Sequence, residues 1–258
     1  MDLGITGLRV IVTAGAAGIG LAIARAFVRE GARVHVGDVD AEALDRLRAS
    51  DPSITATRCD VAARDDVARL FADATRALGG LDCLVNNAGI AGPTGRVEEI
   101  DPDDWDRCIA VDLTGQFNCV RLAVPLLRAS RNPSMLNVSS QAGRLGFAMR
   151  TPYASAKWGV IGLTRSLAAE LGSDGIRVNA LLPGIVAGER QKRVLEAKAK
   201  ARGITAVEME TLAFSYTSIK AYVQPEELAA LACYVASPLA RTISGQQLSV
   251  CGDTNMLG

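Results

Sequence analysis

Three residues of this chain could together move a proton. Ser140 heads the run SQAGRLGFAMRTPYASAK, Tyr153 lies thirteen residues on, and Lys157 follows four residues later. Residues four apart on a helix sit one turn above each other on the same face. If Tyr153 opens a helix, the Lys157 ammonium therefore lies beside its phenol. A nearby positive charge favours phenolate and brings down a phenol pKa that is about 10 when unperturbed. A tyrosine tuned in this way trades protons with an alcohol or a carbonyl near neutral pH. Taken alone, Tyr-x-x-x-Lys is also an ordinary helix face, so its meaning depends on what the rest of the chain builds around it.

The elements that must position these residues alternate. Short aliphatic runs read as buried strands at 8–14, 32–37, 54–59, 82–86, 134–139, 176–182 and 246–250. Between them, apolar residues at helical spacing predict helices over 18–30, 40–50, 65–78, about 103–129, 152–171 and 225–236. Strands alternating with helices through short links mean repeated right-handed crossovers and a parallel sheet of about seven strands. The expected fold class is α/β, a doubly wound three-layer sandwich, with 1–258 as one domain. Only 189–222 breaks the rhythm, with charged helical sequence after a strand's carboxyl end. It reads either as a substrate lid or as a solvated helical pair.

The first strand runs into Thr13-Ala14-Gly15-Ala16-Ala17-Gly18-Ile19-Gly20 and then a helix. Such a turn lets backbone approach a pyrophosphate, which the helix N-terminus attracts with free N–H groups. Thr13, Gly15, Ala17, Gly18, Ile19 and Gly20 are the candidate contacts. Asp38, twenty residues past Gly18, ends the second strand. A carboxylate there bonds both ribose hydroxyls of NAD and repels the 2′-phosphate of NADP. Val39 follows it, so no adjacent base holds that phosphate, and NAD is the expected cofactor. Asp60 and Val61, after the third strand, read equally as an adenine contact or a solvent-facing turn. Asn86-Asn87-Ala88-Gly89 ends the fourth strand with small and polar residues, in itself a turn signal.

In order and spacing, these pieces resemble the short-chain dehydrogenase/reductase family over nearly the whole chain. They are TAGAAGIG, Asp38, Cys59-Asp60-Val61, Asn86-Asn87-Ala88-Gly89, Ser140, Tyr153-x-x-x-Lys157, and Arg177-Val178-Asn179-Ala180 with Pro183-Gly184. The resemblance implies a Rossmann-like fold and hydride transfer between nicotinamide and a secondary alcohol or ketone. Tyr153 would be the general base or acid, Lys157 would tune it and hold the nicotinamide ribose, and Ser140 would steady the substrate oxygen. Asn87, Ala88, Gly89, Tyr153, Lys157, Pro183, Gly184 and Val186 join the cofactor set. Three departures stand out. Ala14 replaces the family's first glycine, with Gly15 expected to supply the flexibility. Gly188 replaces a threonine that bonds the carboxamide, leaving that task to the backbone of Ile185 or Val186. Asp112 replaces the asparagine of the family's proton relay and is expected to keep its place there as a fourth catalytic residue. Two alternatives remain: an NADPH-dependent 3-oxoacyl-carrier-protein reductase, and a non-catalytic NAD-binding sensor or scaffold.

Composition narrows the setting. Formal net charge is zero, which gives no electrostatic case for nucleic acid or an anionic membrane. No apolar run is long enough to span a bilayer unbroken, and the N-terminal residues read as a lead into a strand, not as a signal peptide. Six scattered cysteines without a Cys-x-x-Cys pair fit reduced thiols in the cytoplasm. One histidine, His35, excludes a Ser-His-Asp triad and argues against a His-based metal site, so no metal is expected. Gln141, Arg144, Arg150 and Arg190 are candidate substrate residues, and clustered guanidinium groups suit an acidic or polyhydroxylated substrate. They read equally as a solvated face with salt bridges between subunits. The resemblance also implies a homo-oligomer through helices 103–129 and 152–171, with a tetramer favoured over a dimer.

Overall fold

The run RVIVT has four buried residues in a row, so it carries no in/out alternation and forms a strand covered on both faces. The same holds for CLVN, SMLNV and RVNALLP. The structure, a computed structural model, describes residues 2–257. Its strands are β1 (Arg9–Thr13), β2 (Arg33–Asp38), β3 (Thr55–Arg58), β4 (Cys83–Asn86), β5 (Ser134–Val138), β6 (Arg177–Pro183) and β7 (Gln247–Val250). They form one sheet in the order β3-β2-β1-β4-β5-β6-β7, with every pairing parallel.

Helices cover both faces. On one, α1 (Gly18–Arg29), α2 (Ala41–Ser50) and α9 (Pro225–Ala236) bury Ile23, Phe27, Leu44, Leu47 and Val235 against the sheet. On the other lie α3 (Arg64–Leu78), α5 (Gly115–Leu127) and α6 (Thr151–Leu171), with Leu70, Phe71, Val120 and Leu171 in a second core. This is the doubly wound three-layer sandwich. His35, the lone histidine, sits in β2 between the hydroxyls of Thr55 and Thr57, and burial pushes its pKa down to about 4.

One element departs from expectation. The helix expected over 103–129 is α4 (Pro102–Ile109), a π-helical turn over Ala110–Thr114, and then α5. Gly115 explains the dent, because a Cβ there would lie 2.6 Å from Val61 Cγ2. Close approach to the loop after β3 fixes the end of the turn, and hydrophobic periodicity carries no sign of such a contact. Beyond β6, α7 (Glu189–Arg202) and α8 (Ala206–Ser215) form a hairpin outside the layers, with its own small cluster of Leu195, Ala199 and Met209. Its stem is closed where Val186 pairs with Val223.

Candidate active site

The chain winds outward from β1 to β3 and then returns to place β4 on the other side of β1. A crevice opens beyond the carboxyl ends of strands at such a switch point. Thr13 stitches its floor. Its hydroxyl accepts the N–H groups of Asn87 and Ala88 at 3.0 Å each, while Asn87 Nδ2 donates to the carbonyls of Thr13 and Ala14. Thr13 is 1% exposed, which corrects its expected role: its side chain braces the cofactor turn from beneath and cannot touch a ligand.

The turn above fits a pyrophosphate. The first turn of α1 has no side-chain cap and no acidic residue, so its amides are available. A Cβ on Gly20 would meet the Ala14 carbonyl oxygen at 2.1 Å, while one on Gly18 would meet no atom within 4 Å. The expectation for Gly15 is also corrected. Ala14 itself takes the left-handed backbone, at φ 48°, a conformation that costs an L-residue roughly 1–2 kcal/mol. Gly15 is needed for another reason, since its Cβ would strike Val36 at 2.6 Å.

Asp38 is buried at the end of β2, where its carboxylate accepts the N–H groups of Ala16 at 3.0 Å and Asp40 at 3.1 Å. Val39 beside it is exposed. Sequence reasoning missed Arg58, which pairs in register with Asp38 from β3 and directs its Nε at the Val39 carbonyl, 3.4 Å away. The signal lay in strand register, which spacing along one strand does not carry. For Asp60 the turn reading describes the side chain, whose carboxylate is held by Arg107 and by the Ala62 N–H. The Val61 carbonyl accepts from Asn118.

The residues expected to transfer the proton come together beyond the carboxyl ends of β4 and β5, from α6, the π-helical turn and the loop after β5. Tyr153 is the third residue of α6, half-buried, with Lys157 one turn further on and 3% exposed. The Lys157 Nζ lies 5.6 Å from the Tyr153 ring centroid, donates to the Val138 carbonyl at 3.2 Å, and stands 3.3 Å from Asp112 Oδ2. Asp112, in the π-helical turn, is fully buried, and its Oδ1 accepts the Ile90 N–H at 2.7 Å. Its Oδ2 is close to the ammonium but poorly angled for a hydrogen bond, so the link to Lys157 is an ion pair. Gly89 roofs this pair, because a Cβ there would lie 3.1 Å from Lys157 Nζ and 3.2 Å from Asp112 Oδ2.

Ser140 ends the loop after β5 and caps a short 3₁₀ turn, Gln141–Gly143, by accepting the Ala142 N–H at 3.1 Å. Its own O–H has no acceptor among the described residues. A Cβ on Gly143 would lie 2.7 Å from the Lys157 carbonyl oxygen, so the serine's turn packs directly on α6.

A cleft of about 390 Å³ lies between the loop after β4 and α7, lined by Gly89, Ile90, Ala91, Gly92, Arg190 and Arg193 among others. Arg190 spans it to the Gly89 carbonyl at 2.9 Å. The other three expected substrate residues are elsewhere. Gln141 is buried and bonds the Leu182 carbonyl, while Arg144 folds back onto the Gln141 side chain. Arg150 is 2% exposed and does not line the cleft. Gln141 and Arg150 are drawn in by contacts with distant segments that the local sequence does not encode, whereas Arg144 stays exposed and is tied only to a residue three positions back. Gly188, φ 138°, opens α7 in a backbone region reserved for glycine, which excludes the family's threonine there. Val186 pairs with Val223 through the Ile185 carbonyl and the Ala187 N–H, leaving its own N–H and C=O on the opposite edge.

An α/β sheet of this order, with a glycine turn at its switch point and a Tyr–Lys pair beside it, defines a nicotinamide-dependent oxidoreductase. A family model described as "Enoyl-(Acyl carrier protein) reductase" matches residues 14–253. The chain belongs to the short-chain dehydrogenase/reductase family. It is 39% identical over 250 residues to cis-4-hydroxycyclohexanecarboxylate dehydrogenase of Sinomonas cyclohexanicum, covering 94% of each chain. It is 35% identical over 250 residues to the 3-oxoacyl-[acyl-carrier-protein] reductase of Thermotoga maritima, covering 94% of this chain and 95% of the relative. The solved structure of NAD⁺-bound xylitol dehydrogenase superposes with a TM-score of 0.92 at 25% identity, over 96% of this chain and 99% of that one. The protein is accordingly an oxidoreductase acting on CH–OH groups or the corresponding ketones.

Proposed function

We propose that the protein is an NAD-dependent dehydrogenase of a secondary alcohol that carries an acidic group. The observation that carries the reading is the cleft itself, whose wall at Gly89 and Gly92 packs against Lys157 and Tyr153 and whose other side carries Arg190 and Arg193. Asp38 supports NAD. Ala17, Gly18, Ile19 and Gly20 would hold the pyrophosphate, Asp38 and Val39 the adenosine ribose, and the Val61 N–H, free among the described residues, the adenine. Asn87, Ala88, Gly89, Pro183, Gly184 and the exposed edge of Val186 would frame the nicotinamide. When bound, that ring supplies the hydride acceptor or donor.

The chain's own residues would manage the proton. Ser140 donates its O–H to the substrate oxygen, and Tyr153 takes the hydroxyl proton in oxidation or gives one in reduction. Lys157 keeps a positive charge beside the tyrosine, and Asp112 holds the ammonium in place from the relay position. The hairpin 189–222 serves as the lid of one catalytic domain. The test is a screen with NADH and NADPH binding read by fluorescence, then turnover on hydroxy acids and sugar acids against neutral alicyclic alcohols. Turnover of hydroxy acids with NAD is expected, and activity on neutral alcohols alone would remove the acidic group from the reading. Arg58 supports a second reading, use of NADPH as in a 3-oxoacyl-carrier-protein reductase, and tighter NADPH binding would select it.

A homo-oligomer belongs to the same proposal, a tetramer before a dimer. Trp105, Phe117 and Trp158 expose large apolar side chains on α4, α5 and α6, which supports burial against further copies. Light scattering giving a monomer mass would exclude it. All six cysteines are buried thiols, which supports a cytoplasmic location; recovery of the protein in the periplasmic or secreted fraction would rule it out. Among the described residues no helix is long and apolar enough to cross a membrane.

A further inference from the structure

Arg150 is the largest of the fully buried side chains, yet no carboxylate lies within ion-pair distance of it among the described residues. A buried cation ordinarily has an anionic partner, because desolvation is otherwise uncompensated. Here Nη2 donates a short hydrogen bond to the Ala91 carbonyl, and Nε is buried without any acceptor. What surrounds the guanidinium instead is aromatic: its Cζ stands 5.3 Å from the Phe147 centroid and 5.2 Å from that of Tyr153. Both distances are within the range of a cation–π contact. The backbone is bent to achieve this, since Met149, just before Arg150, takes the left-handed conformation at φ 63°. An L-residue held in that region is a cost the surrounding structure must sustain, and such positions cluster at functional sites.

We propose that Arg150 is a positioning residue for Tyr153: a second buried cation that, with Lys157, steadies the tyrosine's anionic form and latches the cleft wall at Ala91 to the head of α6. The proposal rests on the proton role given to Tyr153 above. Its physical basis is charge balance. Uncharged Tyr153 leaves the guanidinium with two ring faces, one carbonyl and no carboxylate within ion-pair distance, the Asp112 charge acting on it only from further away, whereas a phenolate supplies a counter-ion beside it. Burial lowers the arginine's pKa and the tyrosine's charge acts to raise it. The other groups around Tyr153 and Arg150 are few. Lys157 and Asp112 form their own ion pair, and Arg190 on α7 opposes Arg150 as a like charge. Cys108 on α4 is a thiol pushed up to about 11 by burial. Lys198 on α7 sits 4.6 Å from the Phe147 ring centroid, and burial lowers its pKa to about 8. Lys198 shares its ring with Arg150 and does not supply the negative charge.

The test compares Arg150→Met and Arg150→Lys with the parent enzyme. The pH dependence of kcat/KM for alcohol oxidation is measured, with ultraviolet titration of the phenolate isolated by subtracting a Tyr153→Phe variant. In Arg150→Met the acid limb and the Tyr153 phenolate signal are both expected to move about one pH unit higher. Near neutral pH, kcat/KM should then fall about tenfold, with KM within twofold. Arg150→Lys, which keeps the charge, should recover most of the shift. The ultraviolet titration needs no substrate. A phenolate shift without any acid limb would therefore count against Tyr153 as the proton acceptor in oxidation while leaving its coupling to Arg150 intact. An unmoved phenolate signal in folded Arg150→Met would overturn the proposal. So would a rise in KM for an anionic substrate with both pH readouts unchanged, which would make Arg150 a substrate contact. If Arg150→Met fails to fold, Arg150→Lys and Arg150→Gln carry the same comparison, and equal pH profiles for those two would refute it.

Discussion

Tyr153→Phe is expected to lower kcat by about 10²–10⁴-fold, the usual contribution of a positioned proton donor or acceptor. The tyrosine sits at the first turn of α6, half-buried, and its hydroxyl makes no hydrogen bond to the protein among the described residues. Removing that oxygen therefore orphans no buried partner, and the ring continues to face Arg150 and Lys157. Melting temperature and NAD affinity should stay at parent values, so the loss would be one of chemistry and not of folding. Steady-state kinetics on an identified alcohol, with thermal melting in parallel, reads both quantities. A folded variant retaining kcat within tenfold would take Tyr153 out of the proton transfer.

Lys157→Ala should act on stability as well as on rate. It leaves the Asp112 carboxylate fully buried, with the Ile90 N–H as its remaining partner. Breaking a buried pair by removing one member costs about 3–5 kcal/mol, which in a chain of this size is roughly 6–20 °C of melting temperature. Rate and cofactor affinity should fall together, because the proposed mechanism gives both tasks to the same ammonium. Asp112→Asn is the informative contrast. It keeps an oxygen for the Ile90 N–H and removes only the charge, while Lys157 retains the Val138 carbonyl. Turnover within a few-fold of the parent is expected, and a collapse would show that the carboxylate has a role of its own. Unchanged kinetics and stability in Lys157→Ala would overturn the whole reading of the site.

Much of this was legible in the chain because it rests on local rules. Buried parallel strands announce themselves as unbroken aliphatic runs, and the step of four from Tyr153 to Lys157 is a property of one helix. The glycine turn reads correctly as a turn because a strand precedes it and a helix follows. What was not legible depends on contacts between distant segments. Thr13 is taken out of the ligand site by Asn87 and Ala88, more than seventy residues away. Gln141 is captured by Leu182, and Arg150 by Ala91 and two rings. Polar residues near a site look alike in sequence whether they face the ligand or brace the wall behind it. Ala14 shows the converse case: its left-handed backbone is imposed by the turn, where residue type alone pointed to Gly15.

The π-helical turn at Ala110–Thr114 has a bearing on which insertions and deletions the chain can tolerate. Such a turn is a helix carrying one residue more than its α-helical register needs. Deleting a single residue there would heal α4 and α5 into one regular rod, a change that looks harmless by propensity. Yet each residue of an α-helix turns the face by about 100°. The deletion would swing either the Asp112 carboxylate away from Lys157 or the apolar stripe of Cys119, Val120 and Ala123 away from the sheet. The surplus residue lets one continuous helix satisfy two demands with different phases, and in this stretch chain length is constrained as tightly as residue identity.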